Sequence, residues 1–272
     1  MVNGVTAGID AGGTLCKIAM QTEKGWVYQS FPTKQIQKCI SWLDTYCAHR
    51  CLCITGGKAS MIREKLKRSD YTLIPEFSAS CAGARELLAA EGHADLSDFI
   101  LTNVGTGTSI NHVKGMTQEW MGGTGVGGGT ILGLSGLLTG VYNYSTLIQY
   151  AEHGKRDLID LTVARIYEGE KPPIPGDLTA SNFGAVSDEA ASPSSADQIA
   201  SVIGLVAETV TSLSVLAAQK ADVKTIVYIG SSFVNNSLLR KIVTRYSGQW
   251  GFVPIIPQYG SFCGAVGAAL TK

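Results

Sequence analysis

Glycine placement constrains the fold of this chain more than any other feature. Of 272 residues 32 are glycine, and they gather in clusters. Ala11-Gly12-Gly13 separates a short apolar run, 4–10, from an alternating run, 14–20. Gly105-Thr106-Gly107 stands in the same relation to the runs 99–104 and 108–113. Each set reads as strand, tight turn, strand, because glycine supplies the backbone freedom that a short connection needs. A third strand is expected at 26–31 in the first set and after Gly115 in the second. The chain therefore opens twice in the same manner, and the second opening starts near Asp98.

Between these openings the apolar spacing changes. Ile36, Cys39, Ile40, Leu43 and Tyr46 recur at helical intervals, which predicts a helix over 36–47. Residues 51–55 read as a short buried strand and 61–66 as helix. Residues 71–74 read as a further strand, with Glu76 at its end, and 79–90 as helix. In the second part, helices are expected over 130–138, 159–167, 196–219 and 235–246 and from Gly260, with strands at 225–229 and 252–256. The segment 169–195 is rich in Pro, Ser and Gly and reads as an extended surface excursion. Helices interleaved with short apolar strands place the chain in the α/β class, as two similar halves, 1–97 and 98–272, around a cleft.

Composition removes several classes of function. Twenty-two basic side chains balance 22 acidic ones, and the isoelectric point is near 6.9. No electrostatic footprint for nucleic acid or an anionic membrane is present. Apolar residues make up 45%, which argues against disorder. The amino terminus lacks the pattern of a signal peptide. The longest transmembrane candidate, 130–141, falls short of the roughly 18 apolar residues a bilayer requires. A cytoplasmic, soluble protein is expected. The seven cysteines are an odd number, and only Cys51 and Cys53 are spaced closely, on one face of the expected strand. With no second pair to complete a metal site, they are expected to be buried free thiols.

The chemistry is expected at the turns. Gly12 and Gly13 leave backbone N–H groups open to a polyphosphate, Asp10 can hold a magnesium ion, and Lys17 can reach a phosphate oxygen. Taken alone, this is also an ordinary hairpin. The turn at 105–107 repeats the form, and the third cluster, 122–129, runs straight into a helix, a ready site for an anion. No P-loop sequence is present, and no Gly-x-Gly-x-x-Gly followed by an acidic residue roughly 20 positions on. Three clusters together point to a nucleotide site of another kind.

The segments GIDAGGTLCK (8–17), ITGGK (54–58), PEF (75–77), NVGTGTS (103–109), GGTGVGGGTILGL (122–134), PPIPGDLTASNFG (172–184), VYIGSSFVNN (227–236) and FCGAVGA (262–268) occur in this order. The sequence thereby resembles the type II pantothenate kinases of the acetate and sugar kinase/Hsp70/actin superfamily. The resemblance implies two RNase-H-like (actin-like ATPase) halves with a nucleotide cleft between them, and dimerisation helices in the second half. It implies transfer of the γ-phosphoryl group of Mg-ATP to pantothenate or a pantetheine-like acceptor, within a homodimer. Glu76 matches the general base. ATP contacts map onto Asp10, Ala11, Gly12, Gly13, Thr14, Leu15, Cys16 and Lys17, and onto Thr106. Further contacts map onto Gly128, Gly129, Thr130, Ile131 and Leu132, and onto Tyr144 and Ser231. Asp10 is the implied Mg²⁺ residue. Thr179 and Ala180 fall near pantothenate, and Tyr246 matches a tyrosine that approaches it from the partner subunit.

One position departs from the family. Trp120 stands where an arginine normally precedes the third glycine cluster, and a fixed cation with five donors becomes a single indole N–H. Lys114, Arg63 and Arg85 are the candidate replacements. Two other readings remain open at this point: a kinase of a sugar or another small alcohol, and a non-catalytic or weakly active protein that binds a nucleotide or coenzyme A.

Overall fold

The computed structural model describes residues 6–187 and 193–271. Positions 4 and 5 of the first expected strand and 188–192 of the expected excursion lie outside these residues. The first half begins with β1 (Ala7–Ala11), β2 (Leu15–Thr22) and β3 (Gly25–Pro32), followed by α1 (Ile36–Tyr46) and β4 (Leu52–Thr55). It continues with α2 (Ala59–Lys65), β5 (Tyr71–Leu73) and α3 (Glu76–Ala90). The sheet order is β3-β2-β1-β4-β5, antiparallel through β1 to β3 and parallel from β1 through β4 to β5.

The second half repeats this design. It contains β6 (Asp98–Val104), β7 (Thr108–Lys114), β8 (Thr117–Thr124), α4 (Gly128–Thr139) and α5 (Tyr144–Ala151). After these come β9 (Leu161–Thr162), α6 (Val163–Ile166), β10 (Thr179–Ser181), α7 (Ser195–Ala221), β11 (Thr225–Ile229), α8 (Ser237–Gln249), β12 (Val253–Ile255) and α9 (Cys263–Leu270). Read from its antiparallel edge, the second sheet runs β8-β7-β6-β11-β12, with the same two antiparallel and two parallel pairings. The α/β class and the two equivalent halves follow from the two sheets alone.

Each sheet is buried by helices with matching apolar stripes. Ile36, Cys39, Ile40 and Leu43 of α1 pack on Ile9, Ile18 and Ile54. α7 sets Ile199, Ile203, Val206 and Val210 against Ile100 and Tyr228. Its start is fixed by Ser194, which accepts from the Asp197 N–H, while the Asp197 carboxylate accepts from the Ser194 N–H. At 27 residues and mean hydropathy 1.8, α7 is long and apolar enough to cross a membrane, contrary to the expectation from sequence. Within its apolar window 67% is buried inside the fold, which makes it the core helix of the second half.

The halves are joined where α9 returns to the first sheet. A Cβ built on Gly8 would lie 1.9 Å from the Ala265 carbonyl, and one on Gly267 would lie 1.7 Å from the Ala79 carbonyl. Backbone therefore touches backbone, and α9 is wedged between β1 and α3. Any side chain larger than hydrogen there forces the helix outward, at a cost of about 1–3 kcal/mol.

Three expectations are corrected. The helix over 159–167 is interrupted, because the Asp160 carboxylate accepts from Arg156 and from the Phe183 N–H, which turns the chain so that β9 pairs with β10. The excursion is correspondingly tied down at β10 and at Asn182, whose amide donates to Glu208. Cys51 precedes β4 and is exposed, not buried as expected, whereas Cys53 is buried within the strand; the other five cysteines are buried free thiols as expected.

Candidate active site

Both glycine turns lie at the mouth between the halves. The first is tightened by the Gly12 N–H donating to the Leu15 carbonyl (3.0 Å), and Thr33 donates its hydroxyl to the Gly12 carbonyl (2.9 Å). These bonds use up carbonyls and leave the Gly13 and Thr14 N–H groups without a main-chain acceptor among the described residues. In the second turn the Gly105 N–H donates to the Gly107 carbonyl, and the Thr106 and Gly107 N–H groups are left open in the same way. The turns face each other at contact distance: a Cβ on Gly13 would lie 3.5 Å from Thr106 Oγ1. Two sets of N–H groups without a main-chain acceptor among the described residues thus border one gap, and such groups can receive an anion.

The cavity between them measures about 580 Å³. Of the residues singled out from sequence, Asp10, Gly12, Gly13, Thr14, Leu15 and Lys17 line it, together with Glu76, Thr106 and Ser231. An adjoining smaller cavity shares Thr14, Leu15, Thr106 and Ser231 and adds Gly128, Gly129, Leu132 and Tyr144. Asp10 and Lys17 are opposite one another on β1 and β2, and Lys17 Nζ lies 3.4 Å from Asp10 Oδ2. Both side chains are largely buried, so this pair carries the charge of the cavity floor.

Glu76 is not at a strand end. β5 stops at Leu73, and Pro75, which has no N–H to contribute to a ladder, leads into α3 with Glu76 as its first residue. A carboxylate in the first helical turn is favoured by the helix dipole. Solvent reaches Glu76 through the cavity, yet the flanking protein displaces enough water to raise its pKa. The Asp10 charge pushes it further in the same direction, and Lys17 opposes.

Several candidate residues are placed elsewhere. Ala11, Cys16 and Ile131 bury their side chains in the cores and present at most main chain to the cleft. The Gly128 and Gly129 N–H groups donate to the Gly105 and Thr106 carbonyls (both 2.8 Å), so the start of α4 grips the second turn. The Thr130 hydroxyl donates to the Gly125 carbonyl. Tyr144 donates its hydroxyl to the Ser232 carbonyl (2.8 Å) at the head of a helix that sequence periodicity missed; the signal available was Asn143, which caps it. Thr179, Ala180 and Tyr246 do not line the cavity within one chain. Instead, the Thr179 and Tyr246 hydroxyls both donate to Glu208 Oε1, which also meets Arg156. Asn103, Ser109 and Thr124 line the cavity but were not singled out, although all three lay within quoted segments.

Trp120 is 60% exposed on β8, opposite Asn111 and hence on the sheet face that carries Val113 and Gln118. The Gln118 amide, oriented so that Nε2 donates to the Phe77 carbonyl (2.8 Å), fixes β8 to the first turn of α3. Trp120 is two residues, roughly 7 Å, further along β8 toward Thr124 and the cavity. None of the suggested replacement cations is there. Lys114 is exposed beside Asp98, Arg85 reaches the Thr117 carbonyl, and Arg63 lies in the last turn of α2. Lys17 is the one cation lining the cavity among the described residues.

The architecture recurs in solved structures. The activator of 2-hydroxyisocaproyl-CoA dehydratase from Clostridium difficile, with bound ADPNP, superposes with a TM-score of 0.62 at 16% identity over 98% of this chain and 93% of that one. A ROK family glucokinase from Streptomyces griseus, in complex with glucose and AMPPNP, gives 0.58 at 13% identity, covering 98% of each. At such identities the likeness is one of fold, and the fold is that of actin-like ATPases and ROK kinases. The sequence is more decisive. It is 44% identical over 264 residues to the type II pantothenate kinase of Staphylococcus aureus strain USA300, covering 96% of this chain and 97% of the relative. The same enzyme of strain bovine RF122 / ET3-1 matches equally. The Fumble family model matches residues 77–271. The chain belongs to the type II pantothenate kinase family. It is a phosphotransferase by descent.

Proposed function

We propose that this protein phosphorylates the primary hydroxyl of pantothenate with ATP, giving 4′-phosphopantothenate, the first step of coenzyme A synthesis. The observation that carries the reading is the convergence of Glu76, Asp10 and Lys17 with both glycine turns on one cavity in a member of this family. The open N–H groups of the two turns hold the phosphates, and Lys17 supplies a point charge to them. The donor set fits Mg²⁺, which is usually held by one or two carboxylates with phosphates and waters: Asp10 offers one carboxylate on the cavity that both turns line. Asp10 would hold it, directly or through water. When bound, Mg²⁺ neutralises phosphate charge and keeps the transferring group in line.

Glu76 takes the proton of the acceptor hydroxyl as its oxygen forms the bond to the γ-phosphorus, and the bond to the bridging oxygen of ADP breaks. A carboxyl pKa raised by its surroundings is better matched to that task than an ordinary glutamate. Closure of the halves excludes water and aligns the hydroxyl.

The enzyme acts in the cytoplasm as a homodimer, with Thr179, Ala180 and Tyr246 of each subunit serving the acceptor. Exposed Leu137, Leu138 and Leu216 on α4 and α7 support the dimer. Mixing Glu76→Gln protein with Tyr246→Ala protein tests it, since shared sites regain activity in the mixture. The function is tested by measuring ATP consumption with pantothenate, pantetheine and a panel of sugars, with mass detection of products. Phosphopantothenate is the expected product; turnover of a sugar in its place refutes the reading.

A further inference from the structure

The Asp10 carboxylate sits in a slot with a glycine on either side. Gly56 follows β4 with φ +94°, and a Cβ built there would lie 2.8 Å from Asp10 Oδ1. Gly264 is the second residue of α9, and a Cβ there would lie 3.1 Å from both Asp10 Oδ2 and Cγ. Lys17 Nζ approaches Oδ2 from a third side. No residue of α9 lines the cavity. α9 is in backbone contact with β1 and α3, through Ala265 against Gly8 and Gly267 against Ala79. The nearest atoms to a methyl group added at position 264 are Oδ2, Cγ and Cβ of Asp10, so a small shift of that side chain relieves the contact without moving the helix.

We infer that Gly264, with Gly56, is a positioning residue: the two absent side chains fix where the Asp10 carboxylate points, and so make α9 part of the Mg-nucleotide site without touching the nucleotide. The inference rests on the reading of Asp10 as the Mg²⁺ residue. Gly56 is a poor probe, since its positive φ strains any replacement. Gly264 is a good one, because alanine is favoured in a helix, so Gly264→Ala perturbs Asp10 in a chain that keeps its fold.

The test compares Gly264→Ala, Asp10→Asn and the double variant by melting temperature, by ADP affinity with and without Mg²⁺, and by kcat. Ala265→Gly serves as a control that weakens α9 without reaching Asp10. In Gly264→Ala we expect an unchanged or higher melting temperature and unchanged ADP affinity without Mg²⁺. The gain in affinity on adding Mg²⁺ and kcat should each fall about tenfold, the scale of a lost outer-shell contact. In the Asp10→Asn background the same change should alter both by less than about twofold, because residues acting through one another are not additive. Ala265→Gly should lower the melting temperature and leave the Mg²⁺ gain intact. The inference is overturned if Gly264→Ala changes nothing, if its losses persist in the Asp10→Asn background, or if they merely track a fall in melting temperature as in the control. If Asp10→Asn itself leaves the Mg²⁺ gain intact, the reading of Asp10 fails and takes the inference with it.

Discussion

The two glycine turns share a backbone form and differ in everything attached to it. The first is flanked by charge, Asp10 before it and Lys17 after it, and faces Glu76 across the cavity. The second is flanked by uncharged groups, Asn103 before it and Thr108 and Ser109 after it, and is gripped from behind by the Gly128 and Gly129 N–H groups. Thr108 also donates to the Val126 carbonyl at 2.7 Å. Duplicated strand topology has thus been put to two uses. Under the proposed function, one turn would bring charges to the reacting phosphate, and the other would act as a neutral clamp held by α4.

Changes on the charged side should be the most severe. Glu76→Gln keeps the shape of the side chain and removes the base, so kcat should fall by about 10²- to 10⁴-fold with ATP affinity intact; turnover near wild type would remove Glu76 from the chemistry. On the clamp side, Gly129→Ala sets a Cβ 2.9 Å from the Thr106 carbonyl. Overpacking of that kind should cost about 1–3 kcal/mol of stability, read as a lower melting temperature, and should raise the KM for ATP. An unchanged KM would mean that the second turn is not held by α4.

Smaller effects concern the acceptor and the proton. With Lys17 the only cation lining the cavity among the described residues, Trp120→Arg should lower the KM for pantothenate by about threefold, the scale of an exposed ion pair. No change in KM would place Trp120 away from the acceptor. Because burial and the Asp10 charge raise the Glu76 pKa, and only the deprotonated carboxylate accepts a proton, kcat should fall as pH drops through that raised value. The acid limb of the pH–rate profile should therefore lie above the ordinary glutamate value of about 4.3. A limb at or below it would contradict the assignment.

The turns were legible in the sequence because their requirement is local: a short connection between strands selects glycine wherever it occurs. That the two halves are alike followed from the same repeat, whereas the order of the strands in each sheet did not. What sequence could not supply was set by long-range contacts or by an ambiguous neighbour. Pro75 ends a strand as readily as it precedes a helix, so Glu76 was placed on the wrong element although its role was singled out. The helix expected over 159–167 has the right apolar spacing, but Asp160 is claimed by Arg156 and by the Phe183 N–H, 23 residues away. Gly128 and Gly129 map onto nucleotide contacts through the family resemblance, and they do line the smaller cavity, but their N–H groups are already spent on the second turn. The glycine slot around Asp10 joins residues 10, 56 and 264, a distance along the chain at which no motif spacing speaks.

The division of labour between the turns is tested most directly by measuring kcat and ATP affinity side by side for Asp10→Asn and Thr106→Val. A charged turn that serves the chemistry predicts that Asp10→Asn loses about 10- to 100-fold in kcat while binding ATP without Mg²⁺ as the wild type does. A neutral clamp predicts that Thr106→Val weakens ATP binding and leaves kcat at saturation close to wild type. A Thr106→Val enzyme that binds ATP normally and has lost turnover as deeply as Asp10→Asn would contradict the account.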